Sequence, residues 1–198
     1  MGTSSGAERA RIEALNRYAI LDTEPEQSFD DLVTLAAHIC QTPMSMISLV
    51  DEHRQWFKSK VGVQVRETPR EVSFCSHAIQ QEQLFIVPDT LQDPRFRENP
   101  FVVGDPGIRF YAGAPLINEE GFALGTLCVA DREPRELTAD QKDALSALAR
   151  LALRQIELRR NLQLLKEALS DRTQEEHARE LEIKRLEEKL IRVLGLKI

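Results

Sequence analysis

The stretch Ile108–Asp131, IRFYAGAPLINEEGFALGTLCVAD, decides how the rest of the chain must be arranged. It predicts two strands, Ile108–Ile117 and Phe122–Ala130, joined by the polar segment Asn118–Gly121. A polar segment that ends in glycine is typical of a hairpin turn, because glycine adopts a positive φ at little cost. Both runs are too apolar for a sheet with one wet face. We therefore expect this hairpin in the middle of an antiparallel sheet that is covered on both sides.

Small residues in the hairpin leave one face of the predicted sheet shallow; they are Ala112, Gly113, Ala114 and Gly125. A shallow face lets a helix pack closely or leaves room for a ligand. The sequence alone does not choose between the two.

Composition indicates one compact domain and one long charged helix. Of the 198 residues, 42% are hydrophobic and 29% are charged, and residues 159–198 alone hold 10 Lys+Arg and 8 Asp+Glu. The net charge of -6, without a basic stripe, argues against a nucleic-acid groove. No apolar run reaches the roughly 18 residues that span a bilayer, and no signal region opens the chain. We expect a cytoplasmic protein without membrane or nucleic-acid partners.

The three cysteines, Cys40, Cys75 and Cys128, are odd in number and far apart. This pattern favours free thiols in a reducing compartment over a disulfide framework.

The remaining pattern alternates helices and strands in an α+β order. Helices are predicted over Ala7–Leu21, from Ser28 or Asp30 to Gln41, over Phe74–Gln81 behind a Ser73 cap, and from a Thr138 cap up to Gly195. Strands are predicted over Met44–Asp51, Gln55–Val61 and Leu84–Val87. Residues 62–72 are predicted to be irregular, and Asp89–Gly107 is predicted to be a long, proline-stiffened loop of the kind that carries function.

Six segments carry a family resemblance when they are taken in order: DTEPEQSFDDLVTLAAHIC, MISLVDEHRQWFKSKVG, ETPREVSFCSHAI, FIVPDTLQDPRFRENPFV, IRFYAGAPL and GTLCVAD. Together they resemble the bacterial GAF sensory domains found ahead of histidine kinases and diguanylate cyclases. The resemblance implies a GAF-like central antiparallel β-sheet of about six strands with helices on both faces, in an α+β fold. It also implies a small-molecule pocket under short helices and loops. We expect residues 1–6 to be disordered, 7–158 to form the sensory domain and 159–198 to form a coiled-coil helix.

Nine residues are candidates for binding a ligand in that pocket: Trp56, Phe74, Cys75, His77, Asp89, Asn99, Arg109, Tyr111 and Cys128. Arg109 could hold an anion through two hydrogen bonds, or it could pair with Asp89 or Asp105 and so fix the loop. Fixing the loop is the favoured interpretation. Trp56 could cover the pocket or pack between sheet and helix.

The segment Phe74–His77 offers the most reactive candidates. Cys75 and His77 could ligate a metal, or Cys75 could be an attachment or redox thiol. A metal site needs three or four ligands, and the other histidines have no matching spacing. Ser76 stands where bilin-attaching relatives have histidine, so no cofactor is identified. The alternative is that Cys75 packs inward while His77 hydrogen-bonds a backbone group.

The resemblance places Cys75 near the central strands, so that it could face Cys128, as in GAF-type methionine sulfoxide reductases. Because a buried cysteine usually behaves as a small hydrophobe, we expect no enzyme.

A heptad pattern begins at Leu148 and continues along the predicted last helix. Ten of its fourteen core positions are apolar, and the exceptions are Gln155 and a cluster at Arg172, Glu176 and Arg179. The pattern predicts a parallel homodimer through the C-terminal helix, stable at both ends and less stable in the middle. The alternative is a single exposed charged helix or a helix that folds back on the domain.

These observations predict a non-enzymatic sensory module that binds a small molecule and signals through a dimeric coiled coil to a histidine kinase or diguanylate cyclase output. One alternative is a structural dimerisation module without a ligand. A cysteine-based redox enzyme is the least favoured.

Overall fold

The computed structural model describes the backbone of residues 3–194, with the side chains of residues 6–189 and of Arg192. Within this range the helices are α1 Thr3–Asn16, α2 Gln27–Cys40, α3 Cys75–Ala78, α4 Pro100–Val103 and α5 Ala139–Leu194, with a 3-10 turn at Arg70–Val72. The strands are β1 Met44–Val50, β2 Arg54–Val61, β3 Glu67–Pro69, β4 Phe85–Val87, β5 Phe110–Ile117 and β6 Ala123–Asp131.

In this part of the chain the strands form one six-stranded antiparallel sheet in the order β3-β2-β1-β6-β5-β4. The predicted α+β fold is therefore confirmed. The central hairpin is confirmed as well: β5 and β6 pair with Ala112 opposite Val129, and Gly121 closes the turn with a φ of 85°. Asn118 supports the turn, because its Oδ1 accepts a hydrogen bond from the Phe122 amide at 2.8 Å.

Each face of the sheet carries its own apolar core. The helix-side core joins residues of α1, α2 and the first part of α5 to the sheet, among them Leu15, Phe29, Ile47, Leu127 and Leu145. The loop-side core lies under α3, α4 and the loops, and its members include Met46, Phe57, Phe74, Phe96 and Tyr111. Because both faces are covered, the central strands β1 and β6 are buried along their whole length.

The second helix begins without the predicted side-chain cap. α2 starts after Glu26, and neither Ser28 nor Asp30 caps it. Both side chains make tertiary contacts instead: Ser59 Oγ donates to Asp30 Oδ1 at 2.5 Å, and Gln155 Nε2 donates to Ser28 Oγ at 2.9 Å. The predicted end is accurate, since Gln41 adopts the left-handed conformation (φ 54°) that closes a helix.

The last helix begins as predicted. The Gln141 amide donates to Thr138 Oγ1 at 3.2 Å, and the Thr138 amide donates to Gln141 Oε1 at 3.0 Å. This reciprocal pair is a capping box. The predicted end at Gly195 lies outside the described residues, as do the side chains of the last two heptad positions, Leu190 and Val193.

Other boundaries differ from the prediction. α1 starts at Thr3 and ends at Asn16, so residues 3–6 are helical rather than disordered, because a formed helix extends at one hydrogen bond per added residue. Residues 1 and 2 lie outside the described range. Residues 62–72 include β3, which extends the sheet beyond β2, and the proline-rich loop contains α4.

The chain divides into two compact units, one up to Glu157 and one from Leu158. The first holds the sheet and both cores. The second is helical through Leu194. None of the described helices is long and apolar enough to cross a membrane.

Candidate functional site

A cavity of about 90 Å³ lies in the loop-side core between the sheet and the loops that cover it. Its walls are mostly apolar. They are formed by Met44, Met46, Gln55, Phe57, Val63, Val65, Thr68, Ser73, Phe74, Cys75, Phe101, Pro106, Ile108 and Tyr111. Three of the nine candidates, Phe74, Cys75 and Tyr111, therefore line one cavity, and a fourth, Cys128, contacts Cys75 behind it.

A cluster of hydrogen-bonding groups surrounds the Cys75 sulfur. Tyr111 donates its hydroxyl to Cys75 Sγ at 3.2 Å, and Thr126 Oγ1 approaches the same atom at 3.1 Å. Cys128 Sγ lies 3.7 Å from Cys75 Sγ. Cys75 comes from α3, Tyr111 from β5, and the other two from β6, where Thr126 and Cys128 share one face because strand side chains alternate. These residues are almost fully buried.

The two cysteines of this cluster have opposite pKa shifts. Burial alone would raise the pKa of Cys75, but hydrogen bonds from Cys128, Thr126 and Tyr111 outweigh burial and lower it. The pKa of Cys128 is raised, first by its hydrogen bond to Cys75 and then by burial. The pKa of Tyr111 is also raised, by burial and by negative charge on Cys75. The arrangement thus favours ionisation of the Cys75 thiol over that of Cys128 or Tyr111.

Space for Tyr111 is provided by Gly113, two residues along β5. A Cβ atom added to Gly113 would collide with the Tyr111 hydroxyl and ring, and one added to Gly125 would collide with the backbone of β1. The small residues therefore do not form one shallow face as predicted. Ala112 and Ala114 face the helix-side core, Tyr111 fills the space at Gly113, and Gly125 lets β1 approach within the same sheet.

A group of aromatic rings packs next to the cavity, around Phe74 and Phe96. The Phe74 ring stacks on Phe96, with centroids 4.6 Å apart, and on Tyr111, with centroids 5.2 Å apart. The His77 and Phe96 rings pack edge to face, and their centroids are 4.8 Å apart. Burial, and then the positive charge of Arg95, lower the pKa of His77. His77 does not line the cavity, although Cys75 of the same short helix does.

Hydrogen bonds between polar residues connect parts of the cavity wall that come from different elements. Ser73 Oγ donates to Gln55 Oε1 and accepts a hydrogen bond from the Ser76 amide. The helix follows Phe74 and has no side-chain cap, so the predicted Ser73 cap is wrong, although Ser73 still contacts its first turn through the Ser76 amide. The hydroxyl of Thr68 is buried in the cavity wall and has no hydrogen-bond partner within the part of the chain that is described.

Asn99 holds covering loops together rather than lining the cavity. Its Nδ2 donates to the Val72 carbonyl at 2.9 Å, while its Oδ1 accepts from the Phe101 amide at 2.9 Å and caps α4. Asn99 thereby joins the start of α4 to the segment that precedes α3.

Arg109 and Asp89 form a half-buried ion pair. Arg109 Nε and Nη2 donate to Asp89 Oδ1 at 3.1 and 3.0 Å, and Nη2 also donates to Oδ2 at 3.0 Å. Of the two alternatives predicted for Arg109, the structure contains the pairing that fixes the loop.

Trp56 lies on the opposite face of the sheet, in the helix-side core. Along β2 its neighbours Gln55 and Phe57 point to the cavity instead. The structure therefore does not bring Trp56 to the other candidates.

Four further residues of the site are not among the predicted ones: Thr126, Phe96, Phe101 and Gln55. Thr126 could have been found, since it stands two residues before Cys128 in one strand. Nothing in the sequence distinguished the two phenylalanines from other loop residues. Across residues 3–194, no group of three or more His, Cys, Asp or Glu side chains could hold a metal ion.

Comparisons with known proteins identify the family and the fold. The family model described as "GAF domain" matches residues 24–156. The structure is similar to the GAF domain of an Acinetobacter phosphoenolpyruvate-protein phosphotransferase, with a TM-score of 0.57 and 17% identity, over 79% of this chain and 94% of that one. It is also similar to the PixJ GAF domain of Thermosynechococcus elongatus, with a TM-score of 0.52 and 16% identity, over 80% and 94% of the two chains. At this identity both likenesses show the fold alone.

A relative in sequence is a protein of Pseudomonas aeruginosa that is named a cyclic di-GMP phosphodiesterase. It is 42% identical over 161 residues, which are 81% of this chain and 27% of the relative. The chain thus spans about a quarter of that protein's length. The expectation that the protein is no enzyme is wrong by this comparison, because the relative is named as one. Motifs of a sensory fold are shared by regulators and by enzymes that contain them, so they did not separate the two.

Proposed function

The chain belongs to the GAF domain family, and on that premise we propose that it is the regulatory module of a cyclic di-GMP phosphodiesterase. In this proposal a small molecule binds the loop-side cavity and changes the phosphodiesterase activity of the whole protein. The 42% identity with a protein of that name supports this output over the kinase or cyclase first expected. Because the match covers 27% of the relative, the activity is proposed for the whole protein and not for this chain by itself.

The observation that carries the proposal is the cavity and its chemistry. Its volume of about 90 Å³ is smaller than the roughly 300–1,000 Å³ of clefts for drug-sized ligands. A ligand of a few non-hydrogen atoms fits it, and a cyclic dinucleotide does not. The walls are apolar apart from the sulfur of Cys75 and groups such as the Thr68 hydroxyl, which has no partner among the described residues. We therefore propose a small, largely apolar ligand with one hydrogen-bonding group.

A path for the signal begins in β6. Cys128 belongs to the loop-side core, whereas Leu127 and Val129 belong to the helix-side core. That core also contains Leu145 and Leu148 of α5. A close-packed core transmits small displacements, so we propose that a shift of β6 at the cavity reaches the first part of α5.

Residues 159–198 are proposed to carry the signal as a parallel coiled coil with a second copy. Leucines at heptad positions are about half exposed in the single chain, including Leu162 (48%), Leu165 (56%) and Leu169 (55%). Exposed apolar residues at a and d positions are buried when two such helices pair. At the polar interruption Arg172 pairs with Glu176 on its own helix at 3.0 Å. Residues 7–158 then form the sensory domain.

The ligand-binding part can be tested by filling the cavity. Native mass spectrometry of the purified protein identifies any bound molecule, and a thermal shift with that molecule measures its binding. Val63→Phe adds bulk to the cavity wall and is expected to abolish the thermal shift. In the whole protein it is also expected to abolish the ligand's effect on phosphodiesterase activity.

Val103→Phe is the matched control, because Val103 is 67% exposed and does not line the cavity. It should leave binding and regulation unchanged. The proposal fails if the ligand shifts the melting temperature of Val63→Phe as much as that of the unaltered protein.

The small volume of the cavity also supports a second candidate, a dimerisation module that takes no ligand. In that case native mass spectrometry finds a dimer without a bound molecule, and Val63→Phe leaves the activity of the whole protein unchanged.

A further inference from the structure

Two buried sulfur atoms face each other at the end of the loop-side cavity. Cys75 Sγ lies 3.7 Å from Cys128 Sγ, and the two side chains are held by different elements, α3 and β6. A disulfide bond is about 2.05 Å long. Bond formation therefore needs an approach of less than 2 Å between a four-residue helix and the strand beneath it.

The two sulfurs differ in their surroundings. The Tyr111 hydroxyl and Thr126 Oγ1 lie within 3.2 Å of Cys75 Sγ. Cys128 Sγ lies 3.7 Å from Cys75 Sγ and 3.6 Å from the Met46 carbonyl oxygen, so it can donate its one proton to either atom. Hydrogen bonds to one sulfur stabilise its thiolate, and the thiolate is the nucleophilic form of cysteine. Cys75 is thus the attacking sulfur, and Cys128 is the sulfur that keeps its proton.

Access to Cys75 is limited to small molecules. Cys75 lines the cavity of about 90 Å³, whereas Cys128 does not. The volume exceeds the roughly 30 Å³ share of one water molecule, so an oxidant with two or three non-hydrogen atoms can enter. A tripeptide disulfide is too large.

We propose that Cys75 and Cys128 form a peroxide-reactive pair, in which a small hydroperoxide oxidises Cys75 and Cys128 resolves the product to an intramolecular disulfide. The pair shares the cavity with the proposed ligand site but requires neither a resident ligand nor a phosphodiesterase output. Its failure and the failure of the proposed function are therefore separate results.

The chemistry balances in two steps. The Cys75 thiolate attacks one oxygen of hydrogen peroxide, the O–O bond breaks, and hydroxide leaves and takes the Cys128 proton to become water. The Cys128 thiolate then attacks the sulfur of the Cys75 sulfenic acid, the S–O bond breaks, and the departing hydroxide takes a proton from solvent. In sum, one thiolate, one thiol, one peroxide and one proton give one disulfide and two water molecules.

The third cysteine provides an internal control. Cys40 lies in the helix-side core, where burial raises the pKa of its thiol to about 11. Such a thiol is almost entirely protonated at neutral pH and should not react with peroxide under the same conditions.

The test is peptide mapping of the folded protein after treatment with hydrogen peroxide, without reductant. We expect the peptides containing Cys75 and Cys128 to be linked, and the Cys40 peptide to stay reduced. In Cys128→Ser, the sulfenic acid cannot be resolved and should be trapped at Cys75 by dimedone when the protein is unfolded after removal of the peroxide. In Cys75→Ser, neither the link nor the adduct should form, whereas Cys40→Ser should behave as the unaltered protein.

A rate measurement keeps the proposal testable if a cysteine variant fails to fold. Tyr111→Phe removes one donor to the Cys75 sulfur, so the pH at which the oxidation rate is half-maximal should rise relative to the unaltered protein. Oxidation of Cys40 as fast as Cys75 would overturn the proposal. So would a bound soft metal ion that accounts for both thiols in the native mass, or the absence of a linked peptide.

Discussion

Because Gly113 has no Cβ atom, the Tyr111 hydroxyl can occupy the space beside it. From that position the hydroxyl donates its hydrogen bond to Cys75 Sγ. Gly113→Ala is expected to destabilise the protein by about 1–3 kcal/mol, the usual cost of overpacking a filled core. It should also move the Tyr111 hydroxyl off the sulfur. Urea unfolding measures the first effect, and titration of the Cys75 thiol measures the second as a higher pKa.

Gly6→Ala is the matched control for an added methyl group, because no atom lies within 4 Å of a Cβ at that position. It should not destabilise the protein, since alanine favours a helix more than glycine does. Equal losses of stability in the two variants would show that the space around Gly113 is not what matters.

Arg109 distinguishes a loop anchor from a ligand-binding residue. Arg109→Lys keeps the charge but loses the two-pronged contact with Asp89. If the pair only fixes the loop, the variant should lose about 1 kcal/mol of unfolding free energy and bind the cavity ligand as before. Hydrogen exchange should quicken at Thr90, whose amide bonds the Arg109 carbonyl. Arg97→Lys, on an exposed side chain, is the control; a large loss of ligand affinity in Arg109→Lys alone would contradict the anchoring role.

The residue scale also shows what the sequence could not settle. Cys75, Tyr111 and Cys128 could be placed near one another because a known family carries the same motifs. The side of the sheet that Trp56 faces could not be predicted, because a strand buried on both faces has no polar alternation to mark them. A bulge between β1 and β2 near Ile47 further shifts the register there.

At the scale of elements, the start of α5 depends on Thr138. Thr138→Ala removes the hydroxyl that accepts the Gln141 amide and should cost about 1 kcal/mol of unfolding free energy, as lost N-caps do. Urea unfolding checks this value. Ser146→Ala, on a partly exposed residue of the same helix whose hydroxyl donates to the Lys142 carbonyl, should change stability little; an equal loss there would argue against the cap.

Elements marked by turn or cap residues in the sequence could be predicted. Elements that form only because they pair with another strand could not. The β5–β6 hairpin and the capping box of α5 follow from turn and cap residues in the sequence. β3 is three residues long and ends in Pro69, and it is a strand only because Gln55 and Trp56 of β2 offer it partners. A pattern of period two cannot be seen in three residues.

At the scale of the whole molecule, the exposed leucines predict the oligomeric state. The double variant Leu165→Glu with Leu169→Glu places charges at two proposed core positions and should convert a dimer to a monomer in analytical ultracentrifugation, since like charges would be buried against each other. The sheet domain should stay folded by circular dichroism. Gln163→Glu, at an exposed position outside the proposed core, should leave the dimer intact; a monomer in the unaltered protein would refute the coiled coil.

Trp56, the chain's only tryptophan, has a practical consequence because it is buried on the helix side of the sheet. The indole is shielded from the loop-side cavity by β2 itself, so a molecule entering the cavity cannot quench its fluorescence by contact. Any change in emission wavelength or intensity on adding a ligand or peroxide must then report a rearrangement that has crossed the sheet. The protein thus contains its own optical probe on the side where the proposed signal would leave.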